Sequence, residues 1–453
     1  MNFKKCFLLI FISLTSLTFG QEVQEKSEVY KMTLQEAIDF AMDSAYANIN
    51  AQKDVAIAIK KKWETTADGL PQINGQVNYE NNPKLTVTPL PGEIIGEPGT
   101  TVPVSFGNKH NMNASARLDQ LIFDGSYIVA LQAAKTFLEY SANNKLKTEY
   151  EVRTNVITAY GNVLLSKNSI DITENNLDNA ENNLDETQKI FENGLAEEEE
   201  VEQLKITTQQ LKSQLNNAKR MHEIAKESLN MVLGLPVEAE VILLDELEVL
   251  ATQNILETDA SEDFKLEETV DFKIAKNLVE QRDLEFKLEK SKALPTLSAF
   301  VNYGATSFGD EFNFFESGKD WYEFSTIGVS LSVPIFSSFQ RHSRTQQAKM
   351  ELEKAEVQKE QAINEIKRTF NAAKSEMTYA TENFEISKNN LNLAERISHK
   401  NEVKFKEGLA SSFELRQAQV QLYQAQNEYL QSMLNVINAK AELEKIKNKP
   451  LQN

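Results

Sequence analysis

Side chains able to bind a metal ion or to catalyse a reaction are few in this sequence. Its histidines, His110, His222, His342 and His399, are scattered, and no two of them have the spacing of a helical zinc site. Neither a glycine-rich phosphate loop nor a nucleophile on a glycine-flanked turn occurs. His222 falls at an apolar seam position of a predicted helix, where packing accounts for it. We therefore expect a protein without catalytic residues, a bound metal or a cofactor.

The densest group of charged side chains is an uninterrupted acidic run. It consists of Glu197, Glu198, Glu199 and Glu200. One interpretation is structural: the run opens a helix, where negative charge complements the positive end of the helix dipole. The other is functional: copies of the run, repeated by symmetry, form an acidic ring that concentrates cations or binds a basic partner.

The composition is that of an acidic, exported chain. Of its 453 residues, 41% are apolar and one is a cysteine, which excludes disordered, collagen-like and disulfide-rich classes. Lys4 and Lys5 precede an apolar stretch that ends at Phe19, so residues 1–20 are predicted to be a cleaved signal peptide rather than a membrane anchor. Without them the chain keeps 46 basic and 67 acidic side chains, a formal net charge of −21, which argues against a nucleic-acid partner. No later stretch is apolar over about eighteen residues, so no transmembrane helix is predicted.

The chain contains two similar halves. Leu70–Tyr79 aligns with Leu294–Tyr303, and Phe191–Ala196 aligns with Phe405–Ala410, at offsets of 224 and 214 residues. Self-similarity over so long a period indicates a duplicated structural unit. We predict a signal peptide over 1–20, a first repeat over 21–233, a linking segment over 234–268, a second repeat over 269–443 and a tail over 444–453.

Each half is predicted to carry a long pair of helices. Apolar residues recur every seven positions, mostly with a small residue three positions later, which is typical of helices that supercoil around one another. The two series are Val156, Val163, Ile170, Leu177, Leu184 and Phe191, and Phe370, Met377, Phe384, Leu391, Ser398 and Phe405. Gly194 and Gly408 mark the predicted turns, near 193–196 and 407–410, because glycine readily takes the left-handed backbone that ends a helix.

Four segments alternate apolar and polar residues with a period of two, which predicts strands. They form one β-hairpin in each half, over 71–123 and 295–336. The plain interpretation is a soluble antiparallel sheet with one wet face. Strand lengths near ten residues, the export signal and an aromatic-rich loop over 300–324 instead favour strands that cross the outer membrane. Four strands cannot close a barrel, so several copies must share one: three copies supply twelve strands and two supply eight.

These landmarks, taken in order, resemble the outer membrane efflux protein family, the TolC-like channels of Gram-negative bacteria. They are Thr33–Ala41, the Leu-Pro pairs at 70 and 294, the Ile-Phe pairs at 122 and 335, and the two Gly-Leu turns. The resemblance implies a mostly α-helical homotrimer with a small β part, whose twelve-stranded barrel lies in outer-membrane lipid and whose helical tunnel crosses the periplasm. An equatorial belt would draw on residues 234–268 and on the tail. The implied function is a passive exit duct for a tripartite efflux or type I secretion complex.

Partners and docking residues follow from the same resemblance. In the family, the hairpin turns dock a periplasmic adaptor that is bound to an inner-membrane pump of the RND or ABC type. Carried over to this sequence, the docking residues are Gly194, Leu195, Gly408 and Leu409. Some relatives are lipidated at an N-terminal cysteine, whereas Cys6 precedes the apolar stretch here, so lipidation is not expected.

A gate is a further expectation drawn from the resemblance. The family narrows its tunnel near the periplasmic end, often with acidic side chains, and Glu382 and Glu385 are candidates for such a gate. A solvated flank of the coiled coil also explains these two residues. Together with the acidic run at 197–200, they predict a pore that prefers cations.

One alternative from another class stays open at this point. A periplasmic or surface coiled-coil scaffold without channel activity would have the same helices, and its strands would form a soluble sheet. A periplasmic adaptor fits less well, because adaptors usually have one helical hairpin and an inner-membrane anchor. The cargo is not indicated, since a duct needs no tight substrate pocket.

Overall fold

The computed structural model describes residues 29–96, 98–256 and 264–448, so the predicted signal peptide lies outside the described residues. The first half contains, in chain order, β1 (Val29–Met32), α1 (Leu34–Ser44), α2 (Tyr46–Ala67), β2 (Gln72–Asn81), β3 (Val87–Pro91), β4 (Thr101–Ser105), β5 (His110–Asp124), α3 (Gly125–Glu192) and α4 (Glu198–Leu233). The second half contains β6 (Glu240–Leu243), α5 (Leu247–Leu256), α6 (Val270–Ser291), β7 (Thr296–Gly309), β8 (Tyr322–Ser332), α7 (Gln340–Lys406) and α8 (Ser412–Lys447).

Two long helical hairpins dominate the molecule, as the seven-residue pattern predicts. Helix α3 has 68 residues and α7 has 67, and each returns through a helix of 36 residues, α4 or α8. At 1.5 Å per residue, each outgoing helix is about 100 Å long. The predicted seam is buried at many positions, among them Val156, Met377 and Phe384. Ser398, which interrupts the apolar series, is buried as well.

The helices stand side by side in one layer. Helices α2 and α4 both pack along α3, α6 and α8 also pack along α3, and α7 packs against α6 and α8. The lateral order is therefore α2 or α4, then α3, then α6 or α8, and finally α7. Within the described part of the chain, the long helices that pack along α7 are α6 and α8, and the one that packs along both α2 and α4 is α3.

The four predicted strands are confirmed, and they form one antiparallel sheet in the order β2-β5-β7-β8. Because successive side chains point to opposite faces, one face is apolar and the other is polar. The apolar face carries Ile73, Val77, Leu118, Val301, Ile327 and Val329, and the polar face carries Asn74, Gln76, Ser115, Arg117, Asn302 and Thr326. Strands β3 and β4 form a separate hairpin in the loop between β2 and β5, which the sequence did not predict.

A belt made of β1, α1, β6 and α5 packs beside the long helices. Strand β1 pairs in parallel with β6, which brings the N-terminal described residues to the predicted linking segment. Helix α1 starts with a capping box, in which Thr33 and Glu36 accept each other's backbone N–H groups. The main buried apolar cluster joins α1 and α5 to α3, α4, α7 and α8. In residues 29–96, 98–256 and 264–448, no helix is long and apolar enough to cross a bilayer.

Candidate functional site

The two hairpin turns have the same backbone geometry. Gly194 and Gly408 have φ angles of 75° and 69°, which residues with a Cβ disfavour. The N–H of the next residue, Leu195 or Leu409, donates to a carbonyl five residues earlier, at 3.1 Å in the first turn and 2.7 Å in the second. This closure satisfies a terminal carbonyl and leaves the leucines 80% and 77% exposed. Each turn thus presents one apolar side chain at the end of a long hairpin.

The helices that follow the two turns start differently. The acidic run Glu197–Glu200 occupies the N-cap and the first turn of α4, and the N-cap residue forms no side-chain cap. This is the position that the structural interpretation requires, because the helix dipole favours negative charge there. Helix α8 instead starts from Ser411, which forms a capping box with Glu414. The first turn region therefore carries more uncompensated acidic charge than the second.

The two candidate gate residues lie in the part of α7 that is close to the belt. Glu382 and Glu385 are exposed, and Phe384 between them is buried against Tyr429 of α8, with ring centroids 5.6 Å apart. Along the helix, these glutamates are about 35 Å from the second hairpin turn. The structure thus places both glutamates near the belt rather than at the turn.

A polar network links the belt to the second hairpin. Glu248 of α5 accepts hydrogen bonds from the Tyr429 hydroxyl at 2.8 Å and from the Lys388 ammonium at 3.0 Å. Tyr429 and then Lys388 lower the pKa of Glu248, because both stabilise the carboxylate. These contacts join residues 181 and 140 positions apart, so no local sequence pattern reveals them.

A second network links the belt to the first hairpin. The buried Tyr160 of α3 donates its hydroxyl hydrogen to Asp245 at 2.7 Å, and the same carboxylate accepts the Leu34 N–H at 2.6 Å. Burial, followed by the hydrogen bond to Asp245, raises the pKa of Tyr160. The belt is therefore attached to both hairpins through one tyrosine and one carboxylate each.

The histidines are far apart in the fold, as they are in the sequence. His222 Nδ1 lies 3.0 Å from the Ser166 hydroxyl, between α4 and α3, and burial lowers the pKa of this histidine. His110 Nδ1 lies 2.7 Å from the Tyr79 hydroxyl, on neighbouring strands. Nowhere in the residues that the structure covers do three histidine, cysteine or acidic side chains gather in an arrangement able to hold a metal ion.

Both edges of the molecule are open and apolar. Strands β2 and β8 are the outer strands of their sheet, and each has one unpaired side. In the helical layer, exposed apolar side chains lie on α7 at one edge and on α2 and α4 at the other. They include Tyr379, Ile386 and Leu393 on α7, and Trp63 and Met231 on α2 and α4. As far as the described residues show, one copy therefore has two unlike edges, on opposite sides, that lack a partner.

Long helical hairpins, a belt and a short sheet with one apolar face define the TolC-like class of outer-membrane channels. The chain belongs to the outer membrane efflux protein family, whose model matches residues 42–235 and 265–449. Membership of this family places the chain in the outer membrane, extending into the periplasm. The family, the fold class and the localisation predicted from the sequence are confirmed.

Individual relatives are distant. The alkaline protease secretion protein AprF of Pseudomonas aeruginosa is 23% identical over 300 residues, which cover 65% of this chain and 60% of AprF. This chain thus spans 60% of the length of that relative. Among solved structures, the outer membrane protein VceC of Vibrio cholerae has a TM-score of 0.72 at 14% identity, covering 92% of this chain and 97% of VceC. The open-state MtrE channel of Neisseria gonorrhoeae has a TM-score of 0.72 at 16% identity, covering 92% and 89%. At these identities the structural likeness establishes the fold.

Proposed function

We propose that three copies of this chain form one passive exit duct, which serves an efflux or type I secretion complex across the periplasm and the outer membrane. The observation that carries the proposal is the pair of open, apolar edges on opposite sides of one copy. When one edge of a copy contacts the other edge of the next copy, and the contact is repeated by rotation, a closed ring results.

The strand edges require this closure in lipid. Hydrocarbon offers no hydrogen bonds, so an unpaired strand edge is not stable there. Strands β2 and β8 have 10 and 11 residues, the length of a tilted crossing of the bilayer. Pairing β8 of one copy with β2 of the next satisfies both edges. Three copies give twelve strands, whereas two give eight, and an eight-stranded barrel has an interior filled by its own side chains.

The hairpin turns are the surface that we propose for adaptor docking. They lie at the end of the molecule away from the sheet, and each presents an exposed leucine, Leu195 or Leu409, on a rigid turn held by Gly194 or Gly408. The adaptor would in turn bind an inner-membrane pump of the RND or ABC type. The name of AprF describes secretion of a protease, which supports a polypeptide cargo for this chain.

The acidic side chains are proposed to make the pore prefer cations. The run Glu197–Glu200 is repeated three times in a trimer, next to the first docking turn. Replacing all four by Gln is expected to weaken adaptor binding. Replacing Glu382 and Glu385 by Gln is expected to lower the cation preference in single-channel recordings, and an unaltered reversal potential would argue against a gate at these positions.

Membrane extraction and complex mass test the trimeric duct. We expect the protein to stay in the membrane pellet after washes with salt and urea, to dissolve in detergent, and to have the mass of three chains by light scattering. The competing coiled-coil scaffold would leave the membrane in the washes. A mass of one chain in detergent would reject the shared barrel.

Site-specific photo-crosslinking in cells tests the docking turns. A photoreactive amino acid in place of Leu195 or Leu409 is expected to link the channel to a periplasmic protein with its own inner-membrane partner. The matched control is Val237, which is 46% exposed and lies after the end of α4 rather than at a turn. Equal yields from Val237 and from the two leucines would remove the turns as the docking surface.

A further inference from the structure

We propose that Arg117, Asp119 and Phe300, here called the collar, form a charge-balanced ring in the barrel, in which Arg117 and Asp119 cancel each other's effect on ion selectivity. This role rests on the trimeric channel proposed above. The Arg117 Nε donates to both carboxylate oxygens of Asp119, at 2.9 and 3.0 Å. The guanidinium carbon lies 4.4 Å from the centroid of the Phe300 ring, a distance at which a cation is attracted to an aromatic face.

The collar lies on the polar face of the sheet. Arg117 is opposite Asn74 on β2 and Asn302 on β7, and most aliphatic side chains of the same strands, such as Ile73, Leu118 and Val301, point the other way. In outer-membrane barrels the apolar face contacts lipid and the polar face lines the interior. Within the described strands β2, β5, β7 and β8, Arg117 is the one lysine or arginine. Its charge and that of Asp119 are therefore prominent in a wall of mostly uncharged side chains.

A glycine keeps the aromatic member of the collar against the sheet. Phe300 is opposite Asp119 on one side and Gly328 on the other. A Cβ on Gly328 would lie 2.6 Å from Cζ of Phe300, so any larger residue would displace the ring. The ring thereby stays beside the sheet, where it supports the guanidinium.

The collar lies at the junction of the barrel and the tunnel. Asp119 is opposite Gln72, the first residue of β2, at the end of the sheet that is joined to the long helices. In a trimer, three guanidinium groups and three carboxylates lie at this one level, and every ion must pass them. The pair is balanced in charge, so removing one member leaves a ring of three charges of the opposite sign. The two removals must then change selectivity in opposite directions.

Reversal potentials in a potassium chloride gradient across a planar bilayer test this expectation. We expect Arg117→Gln to raise the ratio of potassium to chloride permeability about threefold, and Asp119→Asn to lower it about threefold. The double variant should return close to the wild-type ratio. Lys109→Gln and Glu93→Asn are matched controls, because these exposed charges lie in the loop beyond the far end of the sheet and should leave the ratio unchanged.

Two results would overturn the proposed role of the collar. In one, both collar variants form trimers and shift the ratio no more than the loop controls; in the other, both shift it in the same direction. A failure of the trimeric duct is distinguished by light scattering on the same samples, where the wild type would have the mass of one chain.

A pair of neighbouring cysteine variants tests which face lines the pore, without any change to the collar. Cys6 is the one cysteine of the sequence and lies in the predicted signal peptide, so an introduced thiol is the single target in the processed chain. A bulky, water-soluble thiol reagent is expected to reduce the current through Asn302→Cys, which is opposite Arg117, and to leave the current through Val301→Cys unchanged. The reverse result would place the collar against lipid and reject the proposal.

Discussion

The two helical hairpins have nearly equal lengths but are held in different ways. The first is attached within its own copy, because Tyr160 of α3 bonds to Asp245 in the buried cluster of the belt. In addition, Arg153 of α3 pairs with Glu444 of α8 at 3.0 Å, where both side chains are mostly buried. In the second hairpin, the ion pair between Lys388 of α7 and Glu248 is about half exposed. The outer flank of α7 is apolar and open.

The outgoing helices of the two hairpins also begin differently: α3 has a side-chain cap and α7 has none. Asp124 caps α3 by accepting the N–H groups of Ser126 and Tyr127. Helix α7 follows Ser338 and Phe339, which have φ angles of 46° and 62°, and it has no side-chain cap. The comparison teaches that α3, the outgoing helix of the first hairpin, has neighbouring helices on both sides within one copy, whereas α7, the outgoing helix of the second, leaves one side for a neighbouring copy.

The largest expected effect is the loss of assembly when the open flank of α7 is charged. Ile386→Asp together with Leu393→Asp would bury unpaired charges between copies, at about 3 kcal/mol or more for each contact. We expect the protein to have the mass of one chain by light scattering in detergent. Ile190→Asp is the matched control, since this residue is 42% exposed on α3, which is not an edge helix. A charged α7 that stays trimeric would show that this flank is not an interface.

The two tyrosine–carboxylate contacts are expected to differ in strength. Tyr160→Phe leaves the partly buried carboxylate of Asp245 without one of its donors and should cost about 2 kcal/mol. Tyr429→Phe removes a bond to the more exposed Glu248 and should cost less than about 1 kcal/mol. Thermal unfolding followed by circular dichroism measures both. Equal losses would mean that the belt holds the two hairpins equally firmly.

Substitutions at the starts of α3 and α7 are expected to change stability by smaller amounts, and the two changes should have opposite signs. Asp124→Ala removes a cap and should destabilise the protein by about 1 kcal/mol. Phe339→Asn places a residue that tolerates the left-handed backbone at the start of α7 and should stabilise it by about 0.5 kcal/mol. The same thermal assay applies to both. Destabilisation by Phe339→Asn would indicate that contacts of the aromatic ring outweigh the backbone strain.

The smallest effect is a difference in pH dependence. Burial lowers the pKa of His222 in the first hairpin, so below about pH 6.5 the unfolded chain binds a proton that the folded chain does not, and stability falls. His222→Gln should flatten the stability curve in this window. The lowered pKa of Glu248 acts at lower pH, since its contribution is lost as the pH falls below about 4.3. An unchanged curve for His222→Gln between pH 5 and pH 7 would remove the first effect.

Local periodicity was sufficient to predict the hairpins and the four strands. A seven-residue seam such as Val156 and Val163 is visible in the sequence, and so is the glycine that a left-handed turn requires. Strands β3 and β4 were missed because Pro89 is paired with Pro103, and proline is unusual inside a strand. The same prolines are tolerated because the hairpin has only two strands, each with a free side.

The long-range contacts could not be predicted from the sequence. Strand β1 pairs with β6, so that Val29 lies opposite Glu240. No local sequence pattern encodes a partner so far along the chain. The same holds for the ion pair between Lys388 and Glu248. This pair shows that the nearby candidate gate residues, Glu382 and Glu385, lie close to the belt. For the collar, the alternation in the sequence places Arg117 among polar residues. The contact of Arg117 with Phe300, which lies on another strand, could not be predicted.

Disulfide trapping between the sheet edges tests most directly the claim that each copy supplies one part of a shared wall. Within one copy, β2 and β8 are separated by two strands, about 14 Å, which is too far for a disulfide. We predict that Val77→Cys combined with Ile327→Cys or Val329→Cys gives, on oxidation in the membrane, covalent products that end at three chains. Monomers alone for both pairings, or a ladder that continues beyond three chains, would contradict the account.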